Sequence, residues 1–262
     1  MELYEDQFAD EHDYPNQTET KKTLIIASTV RSGSHMLGHA LHETGAFGFP
    51  LEYANTKNLN QWKKKFGTSD TAEVMQQLMQ RRTSPNGVFG IKLHYCHLET
   101  LGGFSRVQSM FPNPHFVLLT RQDVMSQAVS LAVAKQTGAW ISKQEKQKQP
   151  EYRFEDIDNG LRRILFENSS WKYTLSASGA KYMDLNFNDV KSNTANTILR
   201  IADMMHIEVD SRRIPTAPVT KKQSDTINKA WTEQFMREFN VNDELLRFNR
   251  ESIFRRLKKR FL

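Results

Sequence analysis

A single cysteine, Cys96, stands among 262 residues. No intramolecular disulfide can form, and no cysteine cluster exists to hold zinc or an iron–sulfur centre. That scarcity suits a reducing compartment, so the expected location is cytoplasmic. Nothing beside Cys96 marks it as a nucleophile, and it reads as a small buried residue. No apolar run approaches the roughly 18 residues needed to span a bilayer. The first twenty residues, MELYEDQFADEHDYPNQTET, lack both the basic and the apolar segment of a secretory signal. Residues 1–22 therefore read as a short disordered polar arm, followed by one domain over 23–262. The nucleotide-binding signature GxxxxGK(S/T) is also missing, which disfavours an ATPase or kinase of the Walker type.

What is present supports a folded protein with an anionic ligand. The apolar fraction is 38 %, enough for a core, and the net charge is +6. An excess of that sign fits an anionic small molecule or a negative membrane surface, and is too diffuse to argue for nucleic acid. The run Arg255-Arg256-Leu257-Lys258-Lys259-Arg260 carries much of it. It reads first as a solvated helix end, and second as a peripheral membrane contact.

Four short apolar runs bounded by turn signals read as buried strands: 24–28, 88–93, 115–119 and 181–185, with 47–49 as a short fifth. Helical patterns lie between them at 33–44, 71–82, 123–135, 154–178 and 189–205. The alternation implies an α/β fold with a mainly parallel sheet of about five strands, covered on both faces. Residues 225–239 and 242–261 read as a helical C-terminal extension packed on that domain.

The stretch TLIIASTVRSGSH, 23–35, joins a strand to a helix through Arg31-Ser32-Gly33-Ser34-His35. Loop N–H groups and a helix N-terminus aimed at one point suit a phosphate. Arg31 adds a bidentate cation, Ser32 and Ser34 add hydroxyls, and Gly33 lets the backbone approach closely. The same residues also occur in plain strand–helix turns, where serine is only an N-cap. A second anion site is expected where strand 115–119 ends at Arg121, because ligands of open α/β sheets gather at strand C-terminal ends. Ser126 and Ser130 share one face of the next helix, and either could join Arg121.

Two such strand ends resemble the sulfotransferases that use 3′-phosphoadenosine-5′-phosphosulfate (PAPS) and release the 3′,5′-bisphosphate PAP. Within them the chain is most similar to the bacterial trehalose 2-sulfotransferase family, which includes carbohydrate, lipopolysaccharide and Nod-factor-type enzymes. The matching stretches are ASTVRSGSHML, GAFGFPLEY, PNGVFGIKLHY and LLTRQDVMSQAVSLAVAKQTGAW, in register over roughly Leu24 to Trp140. The resemblance implies a P-loop-like sulfotransferase fold. It implies that Arg31, Ser32, Gly33, Ser34 and His35 hold the 5′-phosphosulfate, and that Arg121 and Ser130 hold the 3′-phosphate. It also implies that Glu52 is the general base, with Arg31 and His35 completing the catalytic set. A homodimer belongs to the same expectation. Animal cytosolic relatives carry lysine in place of Arg31 and commonly threonine in place of His35.

Sulfuryl transfer needs a base for the acceptor hydroxyl, positive charge on the moving group, and stabilisation of the departing phosphate; no metal is required. For Glu52 the expected device is a raised pKa, from partial burial beside Phe49 and Tyr53. Tyr53, Lys92 and Tyr95 are expected around the acceptor, with Lys92 either binding it or pairing with Glu52. His94 joins that pocket. Trp140 either stacks on a ring of the ligand or packs in the core. Lys221 and Lys222 are either a basic flap or a solvated pair. The rival readings are a kinase-like phosphotransferase, and a non-catalytic glycan- or anion-binding protein on the same fold.

Overall fold

Residues Thr23–Ser28 are buried without exception, which only a strand covered on both faces requires. In the computed structural model, which describes residues 5–140, 144, 147–216 and 226–239, that strand is the centre of a sheet. β1 (Lys22–Ser28), β2 (Val88–His94), β3 (Pro114–Thr120) and β4 (Tyr182–Asn186) run parallel in the order β2-β1-β3-β4. Side chains alternate across β1: Leu24 and Ile26 enter one core, Ile25 and Ala27 the other.

The helices are α1 (Ser34–Glu43), α2 (Thr56–Phe66), α3 (Thr71–Arg82), α4 (His97–Thr100), α5 (Phe104–Met110), α6 (Val124–Thr137), α7 (Phe154–Ala177), α8 (Phe187–Ser192), α9 (Thr194–Met205) and α10 (Thr226–Glu238). One face of the sheet is closed by α2, α3 and the C-terminal half of α7, through Trp62, Leu78 and Trp171. The other is closed by α1 and α9, through Leu37, Leu41 and Ile201. A third cluster joins α6, α7 and α10, where Phe235 stacks on Phe154 at 4.5 Å. None of the described helices is long and apolar enough to cross a membrane.

Several expectations change. The fifth strand is a single parallel bridge from Leu51 to Ile91, and Phe47 and Phe49 are buried loop residues. The helix expected over 189–205 breaks at Asn193, whose side chain accepts from Asn196 N and starts a new helix. Helix α2 was legible but unassigned: Asn55 caps its start, Gly67 at φ 67° ends it, and three lysines fill its last turn. The polar arm is ordered against the body from residue 5. Asp13 pairs with Arg82 at 3.0 Å and with Arg81 at 3.3 Å, and Lys65 reaches Asp10 at 2.6 Å. An acidic segment thus settles on the basic last turns of α2 and α3, where the helix dipoles favour cations and the cations recruit it. Cys96 is exposed, not buried. Residues 242–261, including Arg255–Arg260, and Lys221 and Lys222 lie outside the described residues.

Candidate active site

The strand order places a switch point between β1 and β3, because β1 leads to β2 on one side and the chain then returns to the other. The loops leaving β1 and β3 therefore open on one crevice at the carboxyl ends of the strands.

The loop after β1 turns tightly, with Arg31 at φ 62° and Gly33 at φ 90°, both left-handed. A Cβ on Gly33 would sit 2.1 Å from the Phe187 ring, so any side chain there would strain the left-handed backbone and force that ring to shift. Ser32 is fully buried and its Oγ has no partner among the described residues. Ser34 opens α1, whose first-turn N–H groups lack intrahelical acceptors. An anion there would meet the buried Ser32 hydroxyl and the N-terminal end of α1.

The loop is held from below. Gln127 of α6, fully buried, donates to Thr29 Oγ1 at 2.9 Å and to the Val30 carbonyl at 2.7 Å. Trp171 of α7 donates its indole N–H to the Ser28 carbonyl at 3.0 Å. Neither residue was picked out from the sequence. A glutamine in an otherwise apolar helical run was the available signal for the first.

Arg31 donates its Nε–H to Ser130 Oγ at 3.0 Å and an Nη1 hydrogen to the Trp140 carbonyl. Burial, and then the charge of Arg121, hold its pKa down to about 10. Arg121 lies over the Phe187 ring at 5.5 Å and has no carboxylate within ion-pair distance among the described residues. Two guanidinium groups brought together in partial burial are costly unless an anion joins them. Ser126 lies in the first turn of α6, where the Asp123 cap accepts from its main-chain N–H at 2.9 Å. Trp140 enters through its carbonyl, while its ring packs on the α6–α7–α10 cluster.

Glu52 follows the Leu51 bridge, and its carbonyl accepts from Asn58 Nδ2 at 2.9 Å. Its Oε1 lies 2.9 Å from Lys92 Nζ and 3.2 Å from His94 Nε2, with the Glu52 side chain 22 % exposed. Lys92 is therefore the partner of Glu52. Burial opposes the charged carboxylate, but His94, Lys92 and His97 together outweigh it and hold Glu52 well below the usual carboxylate range. This reverses the expected raised pKa. Burial likewise pushes His94 down to about 3 and His97 to about 4, so both imidazoles are neutral at pH 7. His35 is also pushed far down, first by burial and then by Lys92. Its ring meets that of His39 edge-on at 4.3 Å.

Glu52, His94 and His97 bring one ligand-type atom each within 4.8 Å of one another, a set that could hold a metal ion. His97 Nδ1, however, accepts the His94 main-chain N–H at 3.1 Å, so its neutral tautomer carries the proton on Nε2. Binding a metal through His97 would cost that hydrogen bond, and Lys92 already supplies a cation to Glu52.

Tyr53 does not line the crevice. It is fully buried, donates to the Phe49 carbonyl and accepts from Arg82 at 3.3 Å. The hydroxyl of Tyr95 lies 3.1 Å from Thr174 Oγ1, and its ring meets Trp171 edge-on at 5.3 Å.

The Stf0 sulphotransferase family model matches residues 23–238. The chain belongs to the Stf0 sulphotransferase family. As a sulfotransferase it has relatives among curated proteins. The trehalose 2-sulfotransferase of Mycobacterium tuberculosis (strain ATCC 35801 / TMC 107 / Erdman) is 26 % identical, over 83 % of this chain and 95 % of the relative. That of Mycolicibacterium smegmatis (strain ATCC 700084 / mc(2)155) is 22 % identical, over 82 % and 94 %. Among solved structures, the sulfotransferase from Alicyclobacillus acidocaldarius aligns with TM-score 0.47 at 12 % identity, over 84 % of this chain and 92 % of that one. Family membership decides against the kinase-like reading.

Proposed function

We propose that this sulfotransferase takes its sulfuryl group from PAPS and delivers it to a hydroxyl of a carbohydrate or glycolipid acceptor, with Glu52 as general base. The observation that carries the reading is the convergence of Arg31, Ser130 and Arg121 at the switch point, beside an ionised Glu52. PAPS supplies an activated sulfur whose bond to the phosphate oxygen breaks as the acceptor oxygen bonds to it.

Ser32, Ser34 and the first-turn N–H groups of α1 are the donors for the phosphosulfate end. Arg121 and Ser130 are those for the 3′-phosphate. Arg31 belongs to both ends, since its guanidinium already contacts Ser130. Neutral His35 contributes a hydrogen bond rather than a charge. Glu52 takes the acceptor proton. Its low basicity suits a proton that becomes acidic only as the new O–S bond forms, and neutral His94 at 3.2 Å donates its Nε2–H to the carboxylate. No residue is asked to hold a metal.

The test begins with ligand stabilisation. PAP should raise the melting temperature more than ATP does; a larger shift with ATP overturns the reading. Radiolabelled PAPS and a glycan panel should then give sulfated product. PAP binding with no transfer to any sugar would favour a non-catalytic binder.

A further inference from the structure

Arg82 ends α3 with its side chain fully buried, and an arginine is seldom fully buried unless its charge is paired. Three aromatic rings surround the guanidinium carbon, with centroids at 4.8 Å for Trp62, 5.6 Å for Tyr53 and 6.0 Å for Phe49. Among the described residues its one ion-pair partner is Asp13, 69 positions earlier in the chain, at 3.0 Å. The same arm meets it again through the Ala9 carbonyl, which accepts from Nη2 at 3.3 Å. Other contacts keep the arm in place. The Tyr14 N–H donates to the Arg81 carbonyl at 2.8 Å, Phe8 packs on Trp62 at 4.9 Å, and His12 meets the Phe49 ring edge-on at 4.8 Å.

Asp13 and Ala9 engage Nε and Nη2 of the guanidinium, which leaves Nη1 facing Tyr53. The Tyr53 hydroxyl accepts from Nη1 at 3.3 Å and donates to the Phe49 carbonyl. This relay ends on both sides of Glu52, because Phe49 and Tyr53 bracket Pro50-Leu51-Glu52. Within the bracket, the Leu51 carbonyl accepts from the Lys92 N–H at 2.9 Å, which holds the segment beside β2. The Tyr53–Phe49 bond then closes the segment into a loop, and Arg82 orients the hydroxyl that closes it. Without Asp13 the guanidinium would stay charged and buried with no carboxylate, and would turn toward water and away from Tyr53.

We propose that the N-terminal arm is part of the active-site scaffold. Asp13 is a positioning residue that acts through Arg82 and Tyr53 to set the Glu52 carboxylate against the acceptor hydroxyl. The inference rests on Glu52 being the base and goes beyond that reading. Residues 5–14 lie ahead of the 23–238 span that the family model matches, so the brace is outside the matched domain.

Turnover is measured with radiolabelled PAPS and the panel sugar that the unaltered protein sulfates fastest, beside PAP affinity by calorimetry and the melting temperature. Asp13→Ala should lower turnover by roughly ten-fold or more, since a small misplacement of a catalytic group is costly, and should leave PAP affinity unchanged. Asp13→Asn keeps an acceptor for the Arg82 Nε–H. It should keep most of the turnover, although it too loses the ion pair and with it melting temperature. Tyr53→Phe spares the ion pair, breaks the relay at the hydroxyl and should lower turnover as Asp13→Ala does, so the relay is tested even where the alanine variant does not fold. Added to Glu52→Gln, Tyr53→Phe should cost little more, because the group being positioned is already gone. Turnover that merely tracks melting temperature across these variants overturns the inference. So does a Tyr53→Phe loss as large in the Glu52→Gln protein as in the unaltered one. The two levels fail separately. A protein that sulfates no panel sugar, or keeps full turnover as Glu52→Gln, loses the proposed function and the positioning with it. One that is impaired by Glu52→Gln but not by Tyr53→Phe or Asp13→Ala loses only the positioning role.

Discussion

Arg31, in the loop after β1, donates its Nε–H to Ser130 Oγ on α6 at 3.0 Å, across 99 positions of sequence. The bond links the loop that would hold the phosphosulfate to the helix that would hold the 3′-phosphate, so a change at either residue acts on both ends of the nucleotide.

Ser130→Ala removes one hydrogen bond to a charged group, worth about 1.5–3 kcal/mol. PAP should bind roughly ten-fold or more weakly by titration calorimetry. Arg121→Ala should weaken PAP far more than adenosine 5′-phosphate, which lacks the 3′-phosphate. Equal losses for the two nucleotides would remove Arg121 from that role.

Gln127→Leu keeps the volume but withdraws both hydrogen bonds under the loop. The Thr29 hydroxyl and Val30 carbonyl are then left short of a donor, at a cost of about 2 kcal/mol. The melting temperature should fall by several degrees and PAP affinity with it. Ile164→Val, in the core of α7, is the control: it should lower stability without touching PAP affinity. If both variants lose stability but neither loses affinity, Gln127 has no part in shaping the loop.

Glu52→Gln keeps the shape and removes the base. The turnover number should drop by roughly a hundred-fold or more, with PAP affinity unchanged. Full turnover in this variant would remove Glu52 as base and pass the role to His94.

Acid should destabilise the protein through the Glu52 cluster. His94 and His97 fall from 6.5 to about 3 and about 4 on folding, so the unfolded chain binds protons that the folded one refuses. Their contribution is whole above about pH 6.5 and is lost as pH falls toward 4 and 3. Glu52, also depressed, works in the same direction at lower pH. For His97 alone the loss approaches about 3 kcal/mol. Melting temperatures from pH 7.5 to 4.5 should decline steeply. His97→Asn offers another acceptor to the His94 N–H and should flatten the decline; an unchanged slope would place the acid sensitivity elsewhere.

Transfer should survive a chelator. His97 Nδ1 is engaged by His94, and Lys92 already neutralises Glu52. Activity lost in EDTA and restored by zinc would show that Glu52, His94 and His97 bind metal during turnover.

Taken by itself, the sequence determined the local units. A continuous apolar run marked β1, Arg31 to His35 marked an anion loop, and four stretches in register marked the sulfotransferase family. These are readable because strand burial, helix caps and loop chemistry depend on neighbours in the chain. Tertiary structure decided everything that depends on which chain ends meet. The order β2-β1-β3-β4 brought Arg31 to Ser130 rather than to Ser126, whose neighbourhood in sequence looks much the same. Packing buried Tyr53 against Arg82, although it adjoins Glu52 in sequence. Forty positions separate Glu52 from Lys92, yet the Leu51–Ile91 bridge sets them 2.9 Å apart. That contact reversed the expected pKa shift, because a carboxylate buried beside cationic and imidazole partners is held ionised, whereas one buried alone would take up a proton.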